Sequence, residues 1–225
     1  MINDVSKLLI WGRHVFAFSL LTPRKELRFR LCILATLFFA SQPDTVFSHP
    51  HVFVDNSIEI VFNKKGLAGF EVRWIFDEMF SSMLVHDFDK NINGKFEADE
   101  IEQVKNGAFS NLKKFQYFTY IKINGKPFRV QFVKGFSAKI EKDKVSYRFF
   151  VPCHVQAICA FKEVKISIYD KSFYSSLFLT KTPVSFQNAS SYDYQYNIGK
   201  NTKEPYYFGQ IYPEELTIKF RIKDE

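Results

Sequence analysis

HVFVDNSIEIVFNKKGLAGFEVRWIF, residues 51–76, holds two runs of β-branched and aromatic residues separated by Lys64, Lys65 and Gly66. In an extended chain successive side chains face opposite ways, so partial alternation of apolar and polar residues marks a half-buried strand. A short break ending in Gly between two such runs marks a turn. The stretch therefore predicts a β-hairpin with strands over 51–63 and 67–76, and the fold is read outward from it.

Beyond Phe76 the period changes. DEMFSSMLVHDF, residues 77–88, places Met79, Phe80, Met83, Leu84 and Phe88 on one helical face, with acids at the amino-terminal end where the helix dipole favours them. ADEIEQVKNGAFSNLKKF, residues 98–115, predicts a second helix with Ile101, Val104, Ala108 and Leu112 inward and Lys113 and Lys114 at its carboxyl end. From Tyr117 strands return in YFTYIKI, PFRVQFV, AKIE, VSYRFFV, VKISIY, FYSSLFL and LTIKFRI, with a turn at Asn124 and Gly125. Residues 187–205 are polar and read as a long loop. Short, regularly spaced strands predict a mainly β (α+β) fold: an antiparallel β-sandwich with a helix–EF-hand-like loop–helix pair inserted at 77–115.

Between the two helices stands DFDKNINGKFEADE, residues 87–100. Calcium is a hard ion that takes six to eight oxygens and is best enclosed by a loop that curls back on itself. Counting from Asp89, positions one, three and five are Asp89, Asn91 and Asn93, and Gly94 falls at position six, where the turn needs a residue without a Cβ. Lys95 offers its backbone carbonyl, Glu97 takes the ninth place, and Glu100 takes the twelfth, where a bidentate carboxylate closes the shell. Phe96, at the eighth place, points inward. A frame starting at Asp87 fails, because it puts Ile92 at the Gly position. Lys90 and Lys95 offset the acids, and no second loop is present to pair with, so the expected affinity is that of weak extracellular modules, about 10⁻⁴ to 10⁻³ M. The competing reading is a polar interhelical turn that holds no ion.

The chain's 225 residues, 46% of them hydrophobic, suffice for one well-buried core. Twenty-seven Phe and eleven Tyr suit pleated surfaces better than a helical bundle. The net charge of +7 invites a nucleic-acid reading, but six of the bases precede residue 31. LCILATLFFA, residues 31–40, follows them with the length of a signal-peptide core, short of the roughly 20 residues of a membrane span. Val46 and Ser48 suit the small-residue positions of a processing site. The expectation is a targeting segment over 1–48 and a single exported domain over 49–225, periplasmic and soluble. A buried or anchoring helix is the alternative for the segment. Without it the charge falls to +4, from 25 bases against 21 acids, scattered as on a solvated surface, and no nucleic-acid partner is expected.

His49, Pro50 and His51 open the expected mature chain. Residues two apart on a strand face the same way, so His49 and His51 offer two imidazoles, and cleavage would add an α-amino nitrogen. Such donors suit Zn²⁺, Ni²⁺, Co²⁺ or Cu²⁺; the alternative is a polar strand start. His86 reads as an ordinary, partly exposed histidine. Cys153 and Cys159, in PCHVQAIC, read as a small disulfide loop or two inert thiols, with a thiolate and His154 metal site as the alternative.

SHPHVFVDN at 48–56, WIFDEMFSSMLVHDFDKNINGKF at 74–96 and VKISIYDKSFY at 164–174 together resemble the exported bacterial family called domain of unknown function 1007. Members carry the label of periplasmic components of uncharacterised ABC-type transport systems, often beside nickel, cobalt or zinc permeases. The resemblance implies an accessory role in metal transport, with an inner-membrane metal permease as partner. Within it, His49, His51 and the loop from Asp89 to Glu100 match the family pattern. A solute receptor with two doubly wound lobes is a different matter, because the mature chain lacks β-α-β alternation.

The expectation is therefore a metal-binding accessory protein rather than an enzyme. No nucleophile elbow, Gly-rich phosphate loop or HExxH motif is present. The alternatives are a copper-dependent enzyme using an amino-terminal histidine and a β-sandwich interaction module that calcium stiffens.

Overall fold

The computed structural model describes residues 50–223 together with Arg28, Arg30 and Leu31, which are helical. The expected targeting segment otherwise lies outside the described residues, as does His49. Among the described residues no helix is long and apolar enough to cross a membrane.

The hairpin forms as read. β1 (Val52–Asn63) and β2 (Gly66–Phe76) pair antiparallel from Val54 opposite Phe76 to Asn63 opposite Gly66. Val52, Val54, Ile58, Ile60 and Phe62 are all buried, the strict alternation that one buried sheet face requires. Two helices follow, α1 (Glu78–Phe88) and α2 (Ala98–Gly107), then a kinked 3-10 segment (Phe109–Phe118). The rest is β: β3 (Thr119–Ile123), β4 (Lys126–Phe128), β5 (Lys134–Glu141), β6 (Lys144–Gln156), β7 (Lys162–Ile168), β8 (Ser175–Gln187), β9 (Tyr192–Lys200) and β10 (Glu214–Ile222).

These strands make two five-stranded sheets, ordered β5-β6-β2-β1-β8 and β4-β3-β7-β10-β9. The sheets face each other over an aromatic core in which the Phe62 ring of the first meets the Phe220 ring of the second edge-on at 5.3 Å. The chain is thus mainly β, arranged as a sandwich with its helices between β2 and β3.

Four details differ from the sequence reading. β1 pairs with β8 in parallel, so the first sheet is mixed; the crossover between these strands spans most of the chain, and no local pattern encodes it. Within 187–205, β9 forms and pairs with β10. As an edge strand it exposes Tyr194 and Tyr196, so polar neighbours cost little there. The second helix stops at Gly107, because Phe109 turns into the core and stacks on Phe136 at 4.2 Å. Of PFRVQFV, only Phe128 and the residues just before it lie in a strand.

The first helix keeps part of its expected face. Leu84 is buried, with Phe80, Val85 and Phe88 packed beside it, while Met79 and Met83 are 62% and 55% exposed. The inward stripe runs through 80, 84 and 88, and the two Met lie to one side of it. α1 is fastened at its start. Asp77 caps it by accepting from the Phe80 amide at 2.9 Å, and its other oxygen accepts from the Phe53 amide at 2.7 Å, joining the helix to the head of β1. One turn on, the buried Ser81 hydroxyl accepts from the Val145 amide of β6 at 2.9 Å.

A polar row crosses the core of the first sheet. Asn56, Trp74 and Tyr147 are register partners on β1, β2 and β6, only 1%, 1% and 3% exposed. Among the described residues, Asn56 Oδ1, Trp74 Nε1 and the Tyr147 hydroxyl have no hydrogen-bond partner. Trp74 and Tyr147 border a cavity of about 90 Å³ beneath the helices, closed by Phe80, Phe109 and Leu112. An unmatched buried hydroxyl is a net cost, so Tyr147→Phe is expected to stabilise the protein by about 1 kcal/mol. Thermal melting reads this as a rise of about 2–4 °C; a fall of that size would mean that water satisfies the hydroxyl.

Candidate metal centre

The loop between α1 and α2 is tied by its own side chains. Asp89 is 6% exposed and accepts from the Asn93 amide at 3.2 Å and the Gly94 amide at 2.9 Å, one on each carboxylate oxygen. Asn91 Oδ1 accepts from the Asn93 amide at 3.0 Å, so it and Asp89 Oδ1 share one donor nitrogen. Asn93 Oδ1 accepts from the Lys95 amide at 2.9 Å. Each short polar side chain is thereby folded back over the loop in the manner of an Asx turn.

Glu100 closes the ring from the far end. It is 2% exposed, and its two oxygens accept from the Lys90 amide at 2.8 Å and the Glu97 amide at 3.0 Å. The second contact spans three residues at the head of α2, as in a capping box. Glu97 is turned outward to Asn93, whose Nδ2 donates to its Oε1 at 2.8 Å. Phe96 is buried in the core as expected, and the Phe88 ring lies close to Gly107, where a Cβ would stand 3.3 Å away. The carboxyl end of α1 therefore lies against the last residue of α2.

Two residues of the turn have positive φ. Gly94 at +76° is the glycine the spacing anticipated. Ile92 at +57° was not anticipated, for a β-branched residue clashes with its own backbone there, at about 1–2 kcal/mol. Its side chain is 88% exposed and gains nothing in return. Ile92→Gly is expected to raise stability by about 1 kcal/mol, after allowing for glycine's freer unfolded chain. A chemical denaturation curve checks it; a lower midpoint would mean that the Ile92 side chain has a contact in solution.

Loop oxygens from Asp89, Asn91, Asn93 and Glu100 are thus held by one closed set of contacts. All are hard donors of the kind calcium takes, with Lys95 adding a carbonyl. Among the described residues, however, no three His, Cys, Asp or Glu side chains are gathered as a metal centre. Glu100 staples two amides, and an ion taking it bidentately competes with both. That competition, with Lys90 and Lys95 alongside, favours weak binding.

The softer candidates are dispersed. His51 is exposed at the head of β1, with its ring 5.0 Å from that of Tyr174, and its intended partner His49 lies outside the described residues. His86 is exposed and lies 3.1 Å from its neighbour Asp87. Cys153 is buried in β6, its thiol pushed up to about 12 by burial, while Cys159 is exposed. Both are free thiols, so the disulfide reading gives way to that of two thiols. Cys153 is a poor thiolate ligand at neutral pH.

Sequence reasoning missed two organising carboxylates. Asp77 couples α1 to β1, as described. Asp170, 6% exposed, organises the turn before β8 by accepting from the Ser172 amide and hydroxyl and the Ser175 amide. DKS followed by a strand was the available signal.

The sequence profile of a family described as "Protein of unknown function (DUF1007)" matches residues 34–207. An uncharacterised 15.5 kDa protein in the trpE 3′ region of Spirochaeta aurantia is 32% identical over 131 residues, 58% of this chain and 93% of that protein. An uncharacterised protein of Haemophilus influenzae is 25% identical over 155 residues, 64% of this chain and 70% of the relative.

Proposed function

The chain belongs to the DUF1007 family, and from that premise we propose that it is an exported accessory protein that binds calcium through a single EF-hand-like loop, Asp89 to Glu100. One observation carries the reading: Asp89 at the end of α1 and Glu100 in the first turn of α2, eleven residues apart, are both buried and both closed onto the loop's amides. A solvated turn has no need to bury two carboxylates. Calcium would neutralise them and fix the angle between α1 and α2, and hence the seat of α1 on β1 and β6. His49 and His51 are proposed as a separate site for nickel, cobalt, zinc or copper, serving a metal permease of the inner membrane. The dispersal of His51 and His86 favours a second reading, a sandwich module that calcium stiffens and that carries no transition metal.

Melting of the full chain in 10 mM calcium against a chelator tests the loop. For a Kd of 10⁻⁴ to 10⁻³ M, calcium adds about 1.4–2.7 kcal/mol, a rise of about 3–10 °C. An unchanged melting temperature counts against the proposal. Repeating the melt with zinc, nickel, cobalt and copper, in wild type and His51→Ala, separates the two readings: a shift lost in the variant supports the permease accessory, and no shift supports the stiffened module.

A further inference from the structure

The outer face of the second sheet holds a cavity of about 400 Å³, far from the calcium loop in sequence and drawn from β3, β4, β7, β10 and the segment after β9. Its walls are Tyr120, Phe128 and Tyr169, and four cations reach it: Lys122, Arg129, Lys165 and Lys171. Two of these are neutralised. Lys122 meets Glu204 at 2.7 Å and Lys165 meets Glu215 at 2.9 Å, and Asn201 ties those two glutamates together at 3.0 Å each. Among the described residues Arg129 and Lys171 have no carboxylate partner, which leaves two uncompensated positive charges at the cavity.

Hydroxyl donors stand beside these charges, and the Gln116 amide also lines the cavity. The Tyr120 phenol is pushed up to about 12, first by burial and then by Tyr169 and Asp170, and burial likewise raises Tyr169, so both hydroxyls keep their protons at neutral pH. Ser167, 5% exposed, adds a third hydroxyl. Lys171 Nζ stands 4.7 Å from the Tyr120 ring centre, held at the wall by a cation–π contact. The neighbouring acid, Asp170, accepts from its own turn, and the two carboxylates that line the cavity, Glu204 and Glu215, are paired with Lys122 and Lys165. Aromatic walls, hydroxyl donors and two cations without a carboxylate partner in a volume of this size are complementary to an anion with a flat body.

We infer that this cavity binds a small organic dianion, a dicarboxylate or a phosphate monoester, with its charges on Arg129 and Lys171 and its ring against Tyr120 and Phe128. The site is independent of calcium. Arg129 and Lys171 are exposed, so replacing them leaves the core intact.

Isothermal titration of the full chain at low salt tests this with phenyl phosphate and phthalate as probes and benzyl alcohol as the neutral control. At least one dianion is expected to bind saturably at one site, and benzyl alcohol is not. The double variant Arg129→Gln with Lys171→Gln should weaken binding by about a hundredfold, roughly tenfold for each charge-assisted contact. Tyr120→Phe should weaken it by about three- to tenfold, with the melting temperature near that of wild type. The inference is overturned if neither dianion saturates below 10 mM, if the neutral control binds as tightly, or if the folded double variant binds as wild type does.

Discussion

Gly69→Ala is expected to cost about 3 kcal/mol or more, lowering the melting temperature by at least about 6 °C. A Cβ built at Gly69 would stand 2.2 Å from the Val151 carbonyl oxygen and 2.7 Å from the Phe150 ring. The nearest atom is backbone in the paired strand and cannot swing aside. β2 and β6 lie side by side at the centre of the first sheet, and their register shifts between Leu67 and Gly69, so the strands approach most closely where the side chain is missing. Relief would require parting the two strands that carry Trp74 and Tyr147. The same approach occurs at Gly66, where a Cβ would meet the Val155 carbonyl oxygen at 2.4 Å. A circular-dichroism melt measures the effect, and a variant within 2 °C of wild type would show that the strands are not held this close.

The other large effect is expected at Glu100. Alanine there leaves two part-buried amides, those of Lys90 and Glu97, without their acceptor and removes the staple between the ends of the loop. Each unmatched amide costs about 1–3 kcal/mol, so Glu100→Ala should lose about 3 kcal/mol even without calcium. Glu97→Ala should lose about 1 kcal/mol or less, because that side chain is exposed and its contacts are the Asn93 amide group and the capping box at the head of α2. The contrast between the two matters more than either value. Equal losses would mean that the loop is not organised about its twelfth residue.

How much of this was legible in the sequence depended on whether the signal was local. Alternation from Val52 to Phe62 and the break at Lys64 to Gly66 made the first hairpin readable, because pairing between adjacent strands leaves its mark within one short window. The loop's polar residues stand at fixed offsets in one short window, and the side-chain oxygens of Asp89, Asn91, Asn93 and Glu100 accept from amides of residues 90–97. Parallel pairing of β1 with β8 is decided by packing across the whole domain. β9 was hidden by its composition, since the face it turns inward is made of Tyr192, Tyr194 and Tyr196 with Ile198, and most of its residues stay exposed at the sheet edge. Met79 and Met83 satisfied a helical period that the sheet beneath does not use.

Sites assembled from several elements left no trace at all. Tyr120, Arg129, Lys165, Lys171, Glu204 and Glu215 come from separate strands and loops, and each reads singly as a solvated surface residue. The row of Asn56, Trp74 and Tyr147 exists only through strand register. Asp77 shows an intermediate case, for its capping role follows from its place before α1 whereas its bond to Phe53 depends on the hairpin lying alongside.

Calcium titration of the full chain by calorimetry, beside Glu100→Gln, bears most directly on the claim that the loop from Asp89 to Glu100 encloses a divalent cation. The account predicts one calcium per wild-type chain with a Kd of about 10⁻⁴ to 10⁻³ M and no measurable heat of binding in the variant. Absence of binding by wild type at 10 mM calcium, or equal binding by Glu100→Gln, would contradict it.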